Sequence, residues 1–181
     1  MALRKILGQN DATLRAVCKP VEFFDDKLAR LLDDMVQTLT KADGLGLAAP
    51  QIGIRRRVCV INADEDEIIE LINPVVLKKS GSQRDVEGCL SCPDLWGYVV
   101  RPSRCRIKYQ NRSGDVIERT FRELAARCAL HEIDHLNGVL FTEFVDEYVD
   151  PEEVKRESRK AARKNAKKDS KDYKKGAKNV R

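Results

Sequence analysis

Apolar positions along the chain fall into two helical stretches separated by a long strand-like region. Leu28, Leu31, Leu32, Met35 and Leu39 recur at the spacing of one helix face. Asp25 or Asp26 supplies an N-cap for that helix, which is predicted to end before Gly44 and Gly46. β-rich runs follow at Arg57-Val58-Cys59-Val60-Ile61, Glu70-Leu71-Ile72 and Val75-Val76-Leu77. Cys105-Arg106-Ile107-Lys108-Tyr109 then alternates, turns through Asn111-Arg112-Ser113-Gly114 and returns at Val116-Ile117, a hairpin pattern. A second helix is predicted over 120–137, with Thr120 and Glu123 as a capping box and Gly138 as a left-handed stop. Helix, strands and helix in this order predict a single α+β domain rather than an alternating α/β one.

The pattern changes after Phe141-Thr142-Glu143-Phe144-Val145. Asp150-Pro151-Glu152-Glu153 reads as a helix start, with a cap, a proline in the first turn and acids at the positive dipole end. From there to Ala177 the chain is rich in Lys, Arg and Ala, with almost nothing large and apolar to bury. A helix that frays distally is expected. Charge follows the same division. The 181 residues carry 34 Lys and Arg against 29 Asp and Glu, a net charge of +5. Residues 152–181 hold 13 of the basic and 5 of the acidic groups, which leaves the remainder at −3. Two segments are therefore expected, a mildly acidic domain over 1–150 and a basic extension over 151–181. Such an extension favours a polyanionic surface through counterion release, or serves as a solvated tail. No stretch approaches the roughly 20 apolar residues of a membrane span, and the first residues contain no apolar leader core. A cytoplasmic protein with no membrane partner is expected, or an organellar one if a transit peptide has been removed. Of the six cysteines, most are expected to be buried free thiols.

The sharpest chemical feature is His131-Glu132-Ile133-Asp134-His135, an HExxH sequence inside the second predicted helix. Histidines four apart share a helix face and can converge on one metal ion, while Glu132 can polarise water without being a ligand. They are the only two histidines in the chain. Phe121, Leu124, Cys128, His131 and His135 continue one face, so the imidazoles point toward the core, where an unpaired pair would be costly. A catalytic site needs a third protein ligand, and no downstream histidine exists. A carboxylate or a cysteine remains, with Glu87-Gly88-Cys89-Leu90-Ser91 the best-placed segment.

Gly44-Leu45-Gly46-Leu47-Ala48-Ala49-Pro50-Gln51, Glu87-Gly88-Cys89-Leu90-Ser91 and His131-Glu132-Ile133-Asp134-His135 together resemble the three signature motifs of the peptide deformylase family, in the family's order. The resemblance covers residues 1–150. It implies a compact fold with the HExxH helix packed against antiparallel or mixed sheets, and a divalent metal held by Cys89, His131 and His135. It also implies Glu132 as the acid/base residue, with Gln51 and the backbone N–H of Leu90 stabilising the developing oxyanion. Leu45, Gly46 and Gly88 would border the substrate peptide, and Leu45, Cys128 and His131 the methionine pocket. The implied activity is removal of the N-formyl group from formylmethionine on nascent polypeptides, with release of formate. Ferrous iron (Fe2+) is the implied physiological ion; Zn2+, Ni2+ or Co2+ are expected in preparations, and zinc binds such donors more tightly than iron. An approach to the ribosome, by rRNA contact through 152–181, is the further partner implied.

Several positions keep two readings. Glu87 and Arg101 form either a supporting salt bridge near the site or a surface pair, and Asp134 is either a supporting residue or a solvated helix acid. Leu130 stands where the family commonly has glutamine. Cys89 and Cys92 form a CxxC sequence; on a single strand, an offset of three turns Cys92 to the opposite face and makes it structural. A disulfide between them would remove the metal ligand. Trp96 suits the cleft rim or the packing beneath it. Other functions compatible with the motifs are a metal-dependent peptidase, and a ribosome- or RNA-associated binding protein with a structural metal. A phosphate-binding role for 44–51 is disfavoured, because the Gly-Lys-Ser/Thr ending is missing.

Overall fold

In the computed structural model, which describes residues 2–64, 67–157 and 160, the first helix (α1) spans Asp26–Ala42. The Asp25 carboxylate caps it by accepting from the N–H groups of Lys27 and Leu28 at 3.0 Å each. Its apolar stripe buries Leu28, Leu32, Met35 and Leu39. The stop is made by Asp43 in the left-handed region (φ 53°), one residue ahead of the glycines.

Among the described residues, eight strands form two antiparallel sheets. β1 (Gly46–Ala48), β2 (Val58–Asp64), β3 (Glu67–Ser80), β6 (Arg104–Gln110) and β7 (Val116–Arg122) lie in the order β1-β2-β3-β6-β7. β4 (Gln83–Cys89), β5 (Cys92–Arg101) and β8 (Val145–Val149) form the smaller sheet. Alternation along β2 partitions the core. Val58 and Val60 pack with α1, whereas Cys59 and Ile61 pack on the other face with the second helix, α2 (Glu123–Leu136). Arg127 of α2 in turn donates to the carbonyls of Val99 and Gln83 in the small sheet, at 3.1 Å each. α2 therefore lies between the two sheets with all but Glu123, Leu124 and Asp134 buried, the expected α+β arrangement with the HExxH helix at its centre.

Four expectations change. The runs at 70–72 and 75–77 are one strand, because Asn73 takes a positive φ of 51° and register shifts carry the ladder past Pro74. Thr120 does not cap α2: it pairs with Arg106 inside β7, and the helix begins at Glu123 after Arg122. The Glu123 N–H donates to the carbonyl of Ser103 instead, at 2.8 Å. Leu124 is 47% exposed and does not continue the buried face. Cys92 is not turned away from Cys89, because the two belong to different strands and face each other across the Leu90–Ser91 turn. The stop after α2 is as expected, with Gly138 at φ 77°.

All six cysteines are free, and all but Cys89 are buried. The Asp150 carboxylate accepts from the N–H of Glu152 at 2.8 Å, and residues 151–157 and 160 are helical. The rest of the basic extension, including the helix expected to Ala177 and its frayed end, lies outside the described residues. Among the described residues, no helix is long and apolar enough to cross a membrane.

Candidate metal centre

The helical period brings His131 and His135 to one face of α2, their ring centroids 5.0 Å apart. Cys89 ends β4 and enters from the opposite wall, its Sγ 3.2 Å from His135 Nε2. One ligand atom from each of these three residues lies within 4.8 Å of the other two. Tetrahedral coordination with metal–sulfur near ~2.3 Å and metal–nitrogen near ~2.0 Å requires donors a little over ~3 Å apart, so the donor set fits a divalent ion. Among the described residues three protein ligands converge, the number found in catalytic rather than structural sites.

Glu132 is buried between these histidines in sequence, and its Oε2 has no hydrogen-bond partner among the described residues. Burial pushes its carboxyl up to about 7, where it can accept and return a proton near neutral pH. The close approach of β1 makes room for it: a Cβ on Gly46 would lie 2.2 Å from Glu132 Oε1. Gln51 sits in a short 3-10 turn, Ala49–Ile52, directly after β1. The Ala48 N–H holds its carbonyl oxygen at 2.8 Å, which turns Nε2 toward Ser91 Oγ (3.3 Å) and Cys89 Sγ (3.5 Å). The amide is thus oriented with its donors toward the metal ligands.

Glu87 supports the centre from behind. It accepts from His131 Nδ1 at 3.0 Å, from Arg101 Nε at 2.5 Å and Nη2 at 3.0 Å, and from Arg127 Nη1 at 2.6 Å. Burial pushes its carboxyl up, but the hydrogen bonds from His131 and Arg101 outweigh that and hold it at about 2. Anchoring Nδ1 leaves His131 Nε2 as the ligating nitrogen. Arg101 Nη1 also reaches Asp134 Oδ2 at 2.7 Å. Glu87 and Arg101 are therefore a buried pair and not a surface one, with the half-buried Asp134 joined to them through Arg101. Arg127 was absent from the residues singled out in the sequence. The available signal is a charged side chain four residues before His131, in a buried, alanine-rich turn.

The cleft over this centre holds about 390 Å3 and is bordered by Leu45, Gly46, Gly88, Leu90, Trp96 and Cys128 together with the ligands Cys89 and His131. Trp96 lies against Gly88, where a Cβ would come within 2.6 Å of its ring. It therefore forms cleft wall and packing at once. The Leu45 carbonyl is already taken, accepting from the Asn62 N–H at 2.7 Å and from the Cys128 thiol at 3.1 Å. Gln51, Leu90 and Glu132 also border the cleft, His135 lies with the other two ligands, and Glu87, Arg101 and Asp134 form the network beside it.

Residues 3–150 match the family model described as polypeptide deformylase. The peptide deformylase of Caldicellulosiruptor bescii is 48% identical over 154 residues, covering 85% of this chain and 92% of that protein. The crystal structure of the Thermotoga maritima peptide deformylase superposes with a TM-score of 0.79 at 37% identity, covering 81% of this chain and 99% of that one. A Met-Ala-Ser-bound class I type b peptide deformylase from Acinetobacter baumannii gives a TM-score of 0.76 at 30% identity, covering 80% and 99%. With its family model spanning most of the sequence and its fold shared by solved members, this chain belongs to the polypeptide deformylase family.

Proposed function

We propose that the protein hydrolyses the N-formyl group from the N-terminal formylmethionine of nascent polypeptides, releasing formate and a free amine. The observation that carries this is the meeting in one cleft of Cys89, His131 and His135 with an unpartnered Glu132 oxygen and an oriented Gln51 amide. A divalent ion held by the three ligands supplies Lewis acidity and makes water acidic near neutral pH. Glu132 takes the proton from the attacking water and delivers it to the departing amine. Gln51 Nε2 and the Leu90 N–H donate to the formyl oxygen as it gains negative charge. With its carbonyl engaged, Leu45 offers its N–H to the substrate backbone, alongside Gly88. Leu45, Cys128 and His131 form the wall of the methionine pocket. Gly46 contributes the space that Glu132 occupies, and Glu87, Arg101 and Asp134 keep His131 oriented.

In the cell we assign Fe2+ to the centre, with Zn2+, Ni2+ or Co2+ entering during preparation. A cytoplasmic catalytic domain over 1–150 is followed by the 151–181 extension, whose charge suits rRNA contact beside the exit of the nascent chain. Co-pelleting with ribosomes should weaken when 152–181 are deleted and as salt rises; unchanged, salt-independent pelleting would exclude that role.

The catalytic proposal is tested by formate release from formyl-Met-Ala-Ser, using protein loaded anaerobically with Ni2+ or Fe2+. Release should be rapid, and Glu132→Ala should abolish it while Co2+ binding and the thermal transition persist. Full activity in Glu132→Ala, or none in folded, metal-loaded wild type, would overturn the assignment.

A further inference from the structure

Cys92 has no part in the reaction above, and among the described residues it is not in the ligand cluster. Yet it is paired directly with the ligand Cys89 across a two-residue turn. Opposed residues of an antiparallel pair have Cα atoms about 4.5–5.5 Å apart, inside the roughly 4.4–6.8 Å range of disulfides. The two thiols are free. Both residues border the cleft, Cys89 half-buried and Cys92 buried. An attacked thiol and a protected resolving thiol are therefore in place.

Resting on the assignment of Cys89 as a metal ligand, we propose that Cys89 and Cys92 form a reversible disulfide site whose oxidant is a hydroperoxide. The Cys89 sulfur attacks the peroxide, its O–O bond breaks, and Cys89 sulfenic acid and water (or an alcohol) form. The Cys92 sulfur then attacks Cys89, forming the S–S bond and releasing a second water. Two electrons pass from the sulfurs to the peroxide. The disulfide removes one of three ligands, so the metal is lost; a dithiol restores both thiols and the site. Without a neighbour, the sulfenic acid proceeds to sulfinic and sulfonic acids, which a dithiol does not reverse.

The test uses the full-length, metal-free protein treated with hydrogen peroxide. Two of the six thiols should become unreactive to alkylation, and the tryptic peptide carrying both residues should be about 2 Da lighter. Co2+ binding, read from the thiolate-to-cobalt absorbance, should vanish and return with dithiothreitol. In Cys92→Ser and Cys92→Ala the same treatment should add oxygen to Cys89 and abolish Co2+ binding irreversibly. Six alkylatable thiols in treated wild type, or irreversible loss equal to that of the variants, would overturn the proposal. Absence of the cobalt signal in reduced wild type would instead overturn the metal assignment, while the thiol count still reports on the disulfide by itself.

Discussion

Replacing Gly46 by alanine tests whether the placement of one carboxylate governs the reaction. The added Cβ would stand 2.2 Å from Glu132 Oε1, 2.7 Å from Cδ and 2.8 Å from Cγ. Each contact is roughly 1 Å short of van der Waals separation. The strand cannot easily retreat. Gly46 and Leu47 pair with Ile61 and Val60, and the Leu45 carbonyl is held by Asn62 and Cys128. Glu132 is carried by a helix buried between two sheets, so its carboxylate is the part that rotates away.

A displacement of about 1 Å at a catalytic group costs on the order of 100-fold in rate. That corresponds to about 2.7 kcal/mol of transition-state stabilisation. The expected signature in the formate assay is a kcat lowered about 100-fold with KM little changed. Co2+ affinity should be retained, because none of the three ligands is touched. Overpacking should cost about 1–3 kcal/mol of stability, read from the denaturant midpoint. Gly8→Ala, where the new Cβ meets nothing within 4 Å, is the control. A Gly46→Ala enzyme within threefold of wild-type kcat would refute the claim that this glycine makes room for the carboxylate.

Two further outcomes follow from groups outside the ligand set. Arg127→Met preserves much of the side-chain volume but removes a 2.6 Å ion pair to Glu87 and the bonds to the Val99 and Gln83 carbonyls. Because Arg101 still pairs with Glu87, a loss near the lower end of the buried-pair range is expected, about 3 kcal/mol. Thermal melting should then drop by roughly 6–12 °C; a drop under about 2 °C would show that the network does not depend on Arg127. Asp34 is held below the ordinary carboxylate range, first by the Ala2 N–H and then, against burial, by Arg4. A depressed folded-state value stabilises above the unfolded pKa near ~4, and that contribution is lost as pH falls through the folded value. The stability gap between wild type and Asp34→Asn, from urea midpoints, should be largest at neutral pH and shrink in acid. A gap independent of pH would sink that account.

What was legible in the sequence was what a local period or a short motif encodes. The i, i+4 spacing of His131 and His135 needs only a helix to put both on one face, and the Asp25 cap acts within three residues. The third ligand was a different matter: spacing left a carboxylate or a cysteine open, and only three motifs taken together pointed to Cys89. The misread features share a cause, because each depends on a partner distant in the chain or on a turn that breaks a period. Thr120 and Glu123 satisfy a capping pattern, yet pairing along β6 keeps Thr120 in a strand and the Ser103 carbonyl takes the Glu123 N–H. Cys92 obeys alternation only if its strand is continuous with that of Cys89, and the chain reverses between them. Arg127 is the most instructive omission. A guanidinium on a helix that must be buried to present two histidines requires an anion nearby. That demand was present in the sequence even though Glu87, 40 residues away, was not visibly its answer. A charge placed where the apolar pattern insists on burial therefore deserves the same scrutiny as a motif, since the fold has to bring its counterion to it.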